Sequence, residues 1–159
     1  MKNILKVLFI FFGTLNLFGC NSYEYNEKFK DSNISIDKIG LDMKYDILSI
    51  EEDVNGVVMF EECGRPDIGK SNTVIGAHSG RARNAYFNEI HKLEVGDEIK
   101  VTYNDIEYVY IVEEVKEVND TEVEVLEDKG KSMLTLLTCK IGDSSKRIIV
   151  ICDMINGKN

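Results

Sequence analysis

Histidine is scarce in this sequence, and its cysteines are not closely spaced. Two histidines, His78 and His91, and four cysteines are spread over 159 residues, and no Cys-x-x-Cys occurs. That absence removes the usual spacings of dithiol redox centres and structural zinc sites. Basic clusters are missing too. The formal net charge is −9, with 19 Lys and Arg scattered among 28 Asp and Glu. This argues against nucleic acid as a partner and leaves no polybasic segment for a lipid surface. Internal repeats and low-complexity tracts are absent as well. The acidic clusters Glu51-Glu52-Asp53, Glu61-Glu62 and Glu113-Glu114 offer the carboxylates calcium prefers. None follows the twelve-residue loop pattern, so solvated surface is the better reading and no metal is assigned.

The apolar runs fall short of a membrane span. Behind Lys2 and Lys6 the chain is apolar from Val7 to Gly19, interrupted by Thr14 and Asn16, whereas a spanning helix needs about 20 apolar residues. Residues 1–20 therefore read as an export signal or membrane anchor. Leu17-Phe18-Gly19-Cys20 approximates a bacterial lipoprotein cleavage box, with Phe18 unusual for one. Lipidation at Cys20 and an uncleaved signal anchor fit about equally, and ordinary secretion fits less well. Either leading reading tethers the chain to the outer face of the membrane. Residues 21–33, polar with isolated aromatics, read as the tether. Residues 34–155 remain for one domain with a substantial core.

That domain is predominantly β-type. Apolar or alternating segments at 34–39, 43–48, 57–60, 73–78, 98–103, 106–118, 133–139 and 147–154, with turn signals between them, predict eight strands in a closed barrel. Ile99 to Tyr103 alternates and passes through Asn104-Asp105 into Ile106 to Val112, a hairpin with one wet face. Tyr86, Phe87, Ile90 and Leu93 recur at three- and four-residue steps, as in one or two short helical turns packed over a barrel opening. Residues 119–132 are acidic and turn-rich, with Val123, Val125 and Leu126 as apolar anchors, and read as a long loop.

Two of the apolar runs end on chemistry. Met133 to Thr138 delivers Cys139, and Thr73 to Ala77 delivers His78, while Arg147 opens the run Ile148 to Ile151 across a loop from the cysteine. Together they supply a thiol nucleophile, a proton-handling imidazole and a fixed positive charge. Taken singly each has a plainer reading. Cys139 could be a buried apolar cysteine, His78 a structural histidine bonded to a carbonyl, and Arg147 a solvated strand-end charge. A free thiol, with pKa near 8.5, is only a few per cent ionised at neutral pH unless a cation lowers it. A His78–Cys139 ion pair and a mostly neutral pair are both compatible with the sequence. His91, on the polar flank of the helical segment beside Lys92, reads as solvent-facing. Cys63 and Cys152 could bridge, but Cys152 in the last strand reads better as a small core residue.

Asn72 to Gly80, Tyr86-Phe87, Leu93, Gly96-Asp97, Thr135-Leu136-Leu137-Thr138-Cys139 and Arg147, in the order His, Cys, Arg, resemble the sortases, surface transpeptidases of Gram-positive bacteria. The resemblance runs from about Ile34 to Met154, and Thr-Leu-x-Thr-Cys with a downstream arginine is its most specific part. It implies a sortase-like β-barrel with His78, Cys139 and Arg147 as catalytic residues, and no cofactor. The implied reaction cleaves a sorting signal resembling Leu-Pro-x-Thr-Gly after threonine, through a thioacyl enzyme. The partners it implies are surface proteins bearing that C-terminal signal and an amine on peptidoglycan precursor or pilin. It also implies that the 119–132 loop walls the substrate groove.

Around the histidine the chain reads Gly76-Ala77-His78-Ser79, where many sortases read Ala-Gly-His-Arg; with Gly80 and Ala85-Tyr86-Phe87 this is closer to the pilin-polymerising class C. Three marks of that class are lacking: the aspartate-proline-aromatic lid, for which Asp31-Ser32-Asn33 is a poor substitute, a C-terminal membrane helix after Met154, and a proline between Cys139 and Arg147. A surface binding module that keeps the barrel with weak turnover, and a cysteine hydrolase using water as acceptor, stand as alternatives.

Overall fold

A computed structural model describes residues 32–49 and 53–157. The export signal with its cleavage box, the tether up to Asp31, and Glu51-Glu52 lie outside the described residues. Nine strands form one sheet: β1 (Asn33–Ile36), β2 (Leu41–Lys44), β3 (Asp46–Leu48), β4 (Val57–Phe60), β5 (Asn72–Ala77), β6 (Glu98–Tyr103), β7 (Ile106–Asn119), β8 (Met133–Lys140) and β9 (Asp143–Asn156). Their order is β2-β1-β6-β7-β9-β8-β5-β4-β3. The two outermost strands are consecutive in the chain, so the covalent link at Tyr45 joins the ends of the sheet into a nearly closed barrel.

The mainly β barrel is the expected class, with nine strands in place of eight. The extra strand arises because the apolar run 43–48 does not stay in one ladder. Tyr45 leaves it, buried at 4% exposure, with its hydroxyl donating to Thr102 O at 2.9 Å and its amide to Ser32 O at 3.2 Å. β2 pairs antiparallel with β1, and β3 pairs parallel with β4.

Two apolar clusters explain the pattern of the strands. One fills the barrel and includes Ile75, Ala77, Ile99, Val101, Leu134, Leu136, Val150 and Cys152. The other lies outside the barrel wall and includes Val58, Phe60, Val74, Val118, Val125, Leu126, Leu137, Ile149 and Ile151. Side chains alternate between sheet faces. β4, β5, β8 and β9 therefore bury both faces, one in each cluster, and read as continuous apolar runs. β6 covers only the barrel interior and shows the alternation expected of its hairpin. Its turn, Asn104-Asp105, has φ of 51° and 63°, the left-handed pair that a two-residue hairpin turn requires.

The segment 84–93 differs from its helical expectation. It is built of turns, with only Ile90–Lys92 as a 3-10 turn. Phe87, Ile90 and Leu93 do pack into the barrel cluster, while Tyr86 stays 38% exposed. Burial of three side chains, not helical hydrogen bonding, sets their spacing. The 119–132 segment packs Val125 and Leu126 into the outer cluster. Asp128 accepts the Asn72 amide at 2.5 Å, so the loop is tied to the start of β5. Cys63 and Cys152 are both free and buried, and they lie in different clusters. The disulfide alternative therefore falls away.

Candidate active site

Strand parity puts the three singled-out residues on one face. Along β8, Leu134 and Leu136 point into the barrel and Met133 and Leu137 point outward, so Cys139 points outward. Along β9, Ile149 and Ile151 face out, and Arg147 shares their parity. Along β5, Val74 faces out, and His78, just past the strand end, continues that side. β5 pairs parallel with β8 through Gly76↔Leu137, and extending that register by two residues sets His78 beside Cys139. Cys139 is the direct antiparallel partner of Arg147. The order across three neighbouring strands is thus His78, Cys139, Arg147, on the outer face, at the end of the doubly buried wall and on the side covered by the 119–132 loop.

Arg147 does not open its strand as expected. β9 begins at Asp143, because Lys140 pairs with Asp143 across the Ile141-Gly142 turn and the register then jumps so that Cys139 meets Arg147. The three residues 144–146 bulge out, and the carbonyls of Ser144 and Lys146 turn back on the guanidinium. Arg147 Nη1 donates to Ser144 O at 2.8 Å and to Lys146 O at 3.0 Å. The side chain is fully buried, so the reading of a solvated strand-end charge does not hold.

The neighbouring backbone is fixed by hydroxyls. Thr138, on the opposite face from Cys139, donates to Ala77 O at 2.8 Å, and Ser79 Oγ donates to the carbonyl of Cys139. Both bonds tie β5 to β8 within one residue of His78 and Cys139. Gly76 has no room for a side chain: a Cβ there would lie 2.9 Å from Cε2 of Phe60, whose ring packs in the outer cluster.

His78 Nε2 lies 2.8 Å from Val54 O. A backbone carbonyl only accepts, so Nε2 carries a proton and Nδ1 is the nitrogen left to gain or lose one. Burial pushes the Cys139 thiol above its ordinary value of 9.0; Arg147 pulls it down and Asp120 pushes it further up. Desolvation is the largest influence, so the resting thiol is protonated at neutral pH. Burial thus weighs against a standing thiolate.

The sortase-domain family model matches residues 34–155. The chain belongs to the sortase family. Sortase A of Bacillus anthracis is 38% identical over 92 residues, covering 57% of this chain and 44% of that protein. Sortase A of Listeria monocytogenes is 32% identical over 88 residues, 55% of this chain and 40% of that protein. The chain thus spans less than half the length of these curated relatives. A solved structure of a pilus-related sortase C from Group B Streptococcus superposes with a TM-score of 0.74 at 27% identity, covering 88% of this chain and 75% of that one.

Several contacts of this sortase site were not foreseen from sequence. Asp120 Oδ2 lies 3.9 Å from Arg147 Nη2, and the Asp120 amide donates to Ser145 O at 2.9 Å. One residue thus pins the bulge and faces the guanidinium. Val54 contributes through its carbonyl alone, which no residue-type pattern can signal. An acidic residue at the end of a long strand is a common solvated feature, and only the β7–β9 pairing reveals its neighbour. His91 is exposed, with Nδ1 2.9 Å from Asn88 O, outside the outward-facing row. Among the described residues no group of three or more His, Cys, Asp or Glu is placed to hold a metal ion.

Proposed function

We propose that this sortase is a cysteine transpeptidase that cleaves an LPxTG-like sorting signal and joins the released surface protein to an amine on peptidoglycan precursor or pilin. The observation that carries the reading is the single outward-facing row of His78, Cys139 and Arg147 on three adjacent strands.

The reaction begins from a neutral thiol. Cys139 passes its proton to Nδ1 of His78, and the sulfur attacks the threonine carbonyl to give a tetrahedral oxyanion. Arg147 stays charged at any usable pH and donates hydrogen bonds to that oxyanion or to the substrate backbone. Its burial, with Nη1 held by Ser144 and Lys146, pre-orients the planar fork in a low-dielectric setting where such donors count most. Imidazolium then gives its proton to the departing glycine amine, leaving a thioester on Cys139. The acceptor amine loses a proton to His78 and attacks the thioester, forming the new amide and restoring the thiol. The 119–132 loop beside the row would wall the groove for Leu-Pro.

The curated relatives carry the name Sortase A and the superposing structure is a pilus-related sortase C. Both wall and pilin amines therefore stay within the acceptor class. The reading of residues 1–20 as an export signal or membrane anchor supports a place on the outer face of the membrane.

The test uses the full chain with a library of sorting-signal peptides, with and without amine acceptors, read by mass spectrometry beside Cys139→Ala. A Cys139-dependent threonyl-amine product is expected. Hydrolysis alone in the presence of amine would favour the hydrolase alternative, and absence of any thioacyl enzyme would favour the binding module.

A further inference from the structure

We infer that the loop following His78 is an acceptor-docking surface, on which Arg81 and Arg83 bind an oxyanion, carboxylate or phosphate, carried by the amine acceptor. The inference rests on the transpeptidase reading, because it concerns which molecule enters second.

The chain has only four arginines, in a protein of net charge −9. Arg147 is buried in the site. Arg65 pairs with Asp67 at 3.2 Å and lies over the Tyr103 ring at 5.9 Å. The other two, Arg81 and Arg83, are exposed, and among the described residues neither makes an ion pair. Long cations left unpaired on an acidic protein are placed to meet an external anion. Asp53, on the adjoining segment, is exposed as well.

The loop that carries them is held at both ends. The Phe87 amide donates to the His78 carbonyl at 3.1 Å, and the Ala85 amide to Ala82 O at 3.2 Å. Asn88 grips Gly80 twice, accepting its amide at 2.7 Å and donating to its carbonyl at 3.0 Å. Asn84 donates to Asn55 at 3.3 Å, joining the loop to the segment whose Val54 carbonyl fixes the imidazole. Arg81 and Arg83 therefore project from a braced loop three and five residues beyond His78, with little backbone ordering left to complete on binding.

Chemistry sets the direction of approach. His78 takes the proton from the incoming amine, so the amine must reach the imidazole, and this loop, bonded to the His78 carbonyl through Phe87, adjoins it. A guanidinium presents a planar fork that matches carboxylate and phosphate oxygens. On a protein of net charge −9, the pair would also raise the encounter rate of an anionic acceptor, and salt would screen the gain.

The test compares acceptors on the full chain loaded with one sorting peptide: triglycine with a free carboxylate, triglycinamide, and 2-aminoethyl phosphate beside ethylamine. Wild type should use each anionic acceptor about tenfold better than its neutral counterpart at low salt. In Arg81→Ala/Arg83→Ala that preference should vanish while hydrolysis without amine stays unchanged. The two anion arms identify whether carboxylate or phosphate is preferred. An unchanged preference in the double variant overturns the proposal while leaving the transpeptidase reading intact. Failure of wild type to form any thioacyl enzyme sinks the transpeptidase reading instead. The surface is then read directly by NMR titration of the labelled full chain with triglycine and with inorganic phosphate. Saturable shifts at the Gly80 to Asn84 amides, lost in the double variant, would support the anion site, and absence of shifts would overturn it.

Discussion

Two halves of the barrel wall solve different problems. β1, β2, β6 and β7 cover the interior with one face and meet water with much of the other, so they need only alternation. β4, β5, β8 and β9 are sealed on both faces, between the barrel cluster and the outer cluster. His78, Cys139 and Arg147 all belong to the sealed half, at the end of its outer face. A doubly packed strand cannot shift register without moving a side chain from one apolar cluster into the other. The sealed half thus holds three reacting groups in fixed order, and the hairpin half leaves its surface open to variation.

The sharpest break in that comparison is chemical. Cys139→Ala should abolish the thioacyl enzyme, a loss on the order of 10⁴-fold or more in turnover, measured by intact mass after incubation with a sorting peptide. Arg147→Ala should cost on the order of 10²- to 10³-fold in acylation rate. Arg147→Lys should recover little, because a single ammonium cannot satisfy Ser144 O and Lys146 O while presenting a planar fork.

Stability effects rank the two halves by packing. Leu137→Ala, in the outer cluster two residues from Cys139, should lower unfolding free energy by about 2–5 kcal/mol, read from the denaturant midpoint. Gly76→Ala forces a methyl against Phe60 and should cost about 1–3 kcal/mol. On the outer face of β6, Lys100 is paired with Glu98 at 3.5 Å, and Lys100→Ala should stay within about 0.5 kcal/mol of wild type. Equal losses at Leu137 and Lys100 would dissolve the distinction between the halves.

The same distinction governs what was legible in the sequence. The period-two hairpin of β6 and β7 was readable because one wet face imprints alternation. The runs ending at His78 and Cys139 were readable as strands because burial on both faces demands continuous apolar residues. What escaped notice depends on contacts distant in sequence. Tyr45 leaves its ladder because a barrel interior and Thr102 O await its ring and hydroxyl. The 84–93 spacing mimicked a helix because three side chains reach the same cluster from a chain of turns. The bulge at 144–146 has no signature beyond small polar residues, yet it converts Arg147 from a surface charge into a buried, carbonyl-held donor. Asp120 became visible only through its strand neighbour.

The most direct test of the central claim is the pH dependence of Cys139 alkylation in the full chain, localised by peptide mapping, in wild type, Asp120→Asn and Arg147→Gln. Burial holds the thiol above 9.0, with Arg147 pulling down and Asp120 pushing up. The profile should therefore move to lower pH when the Asp120 charge is removed and to higher pH when the Arg147 charge is removed. Cys63, whose thiol burial raises to about 12, and the buried Cys152 should react far more slowly in the native state. Opposite displacements at Cys139 would support the outward-facing row as one electrostatic unit. Profiles that coincide in all three proteins, or shift the same way, would contradict it.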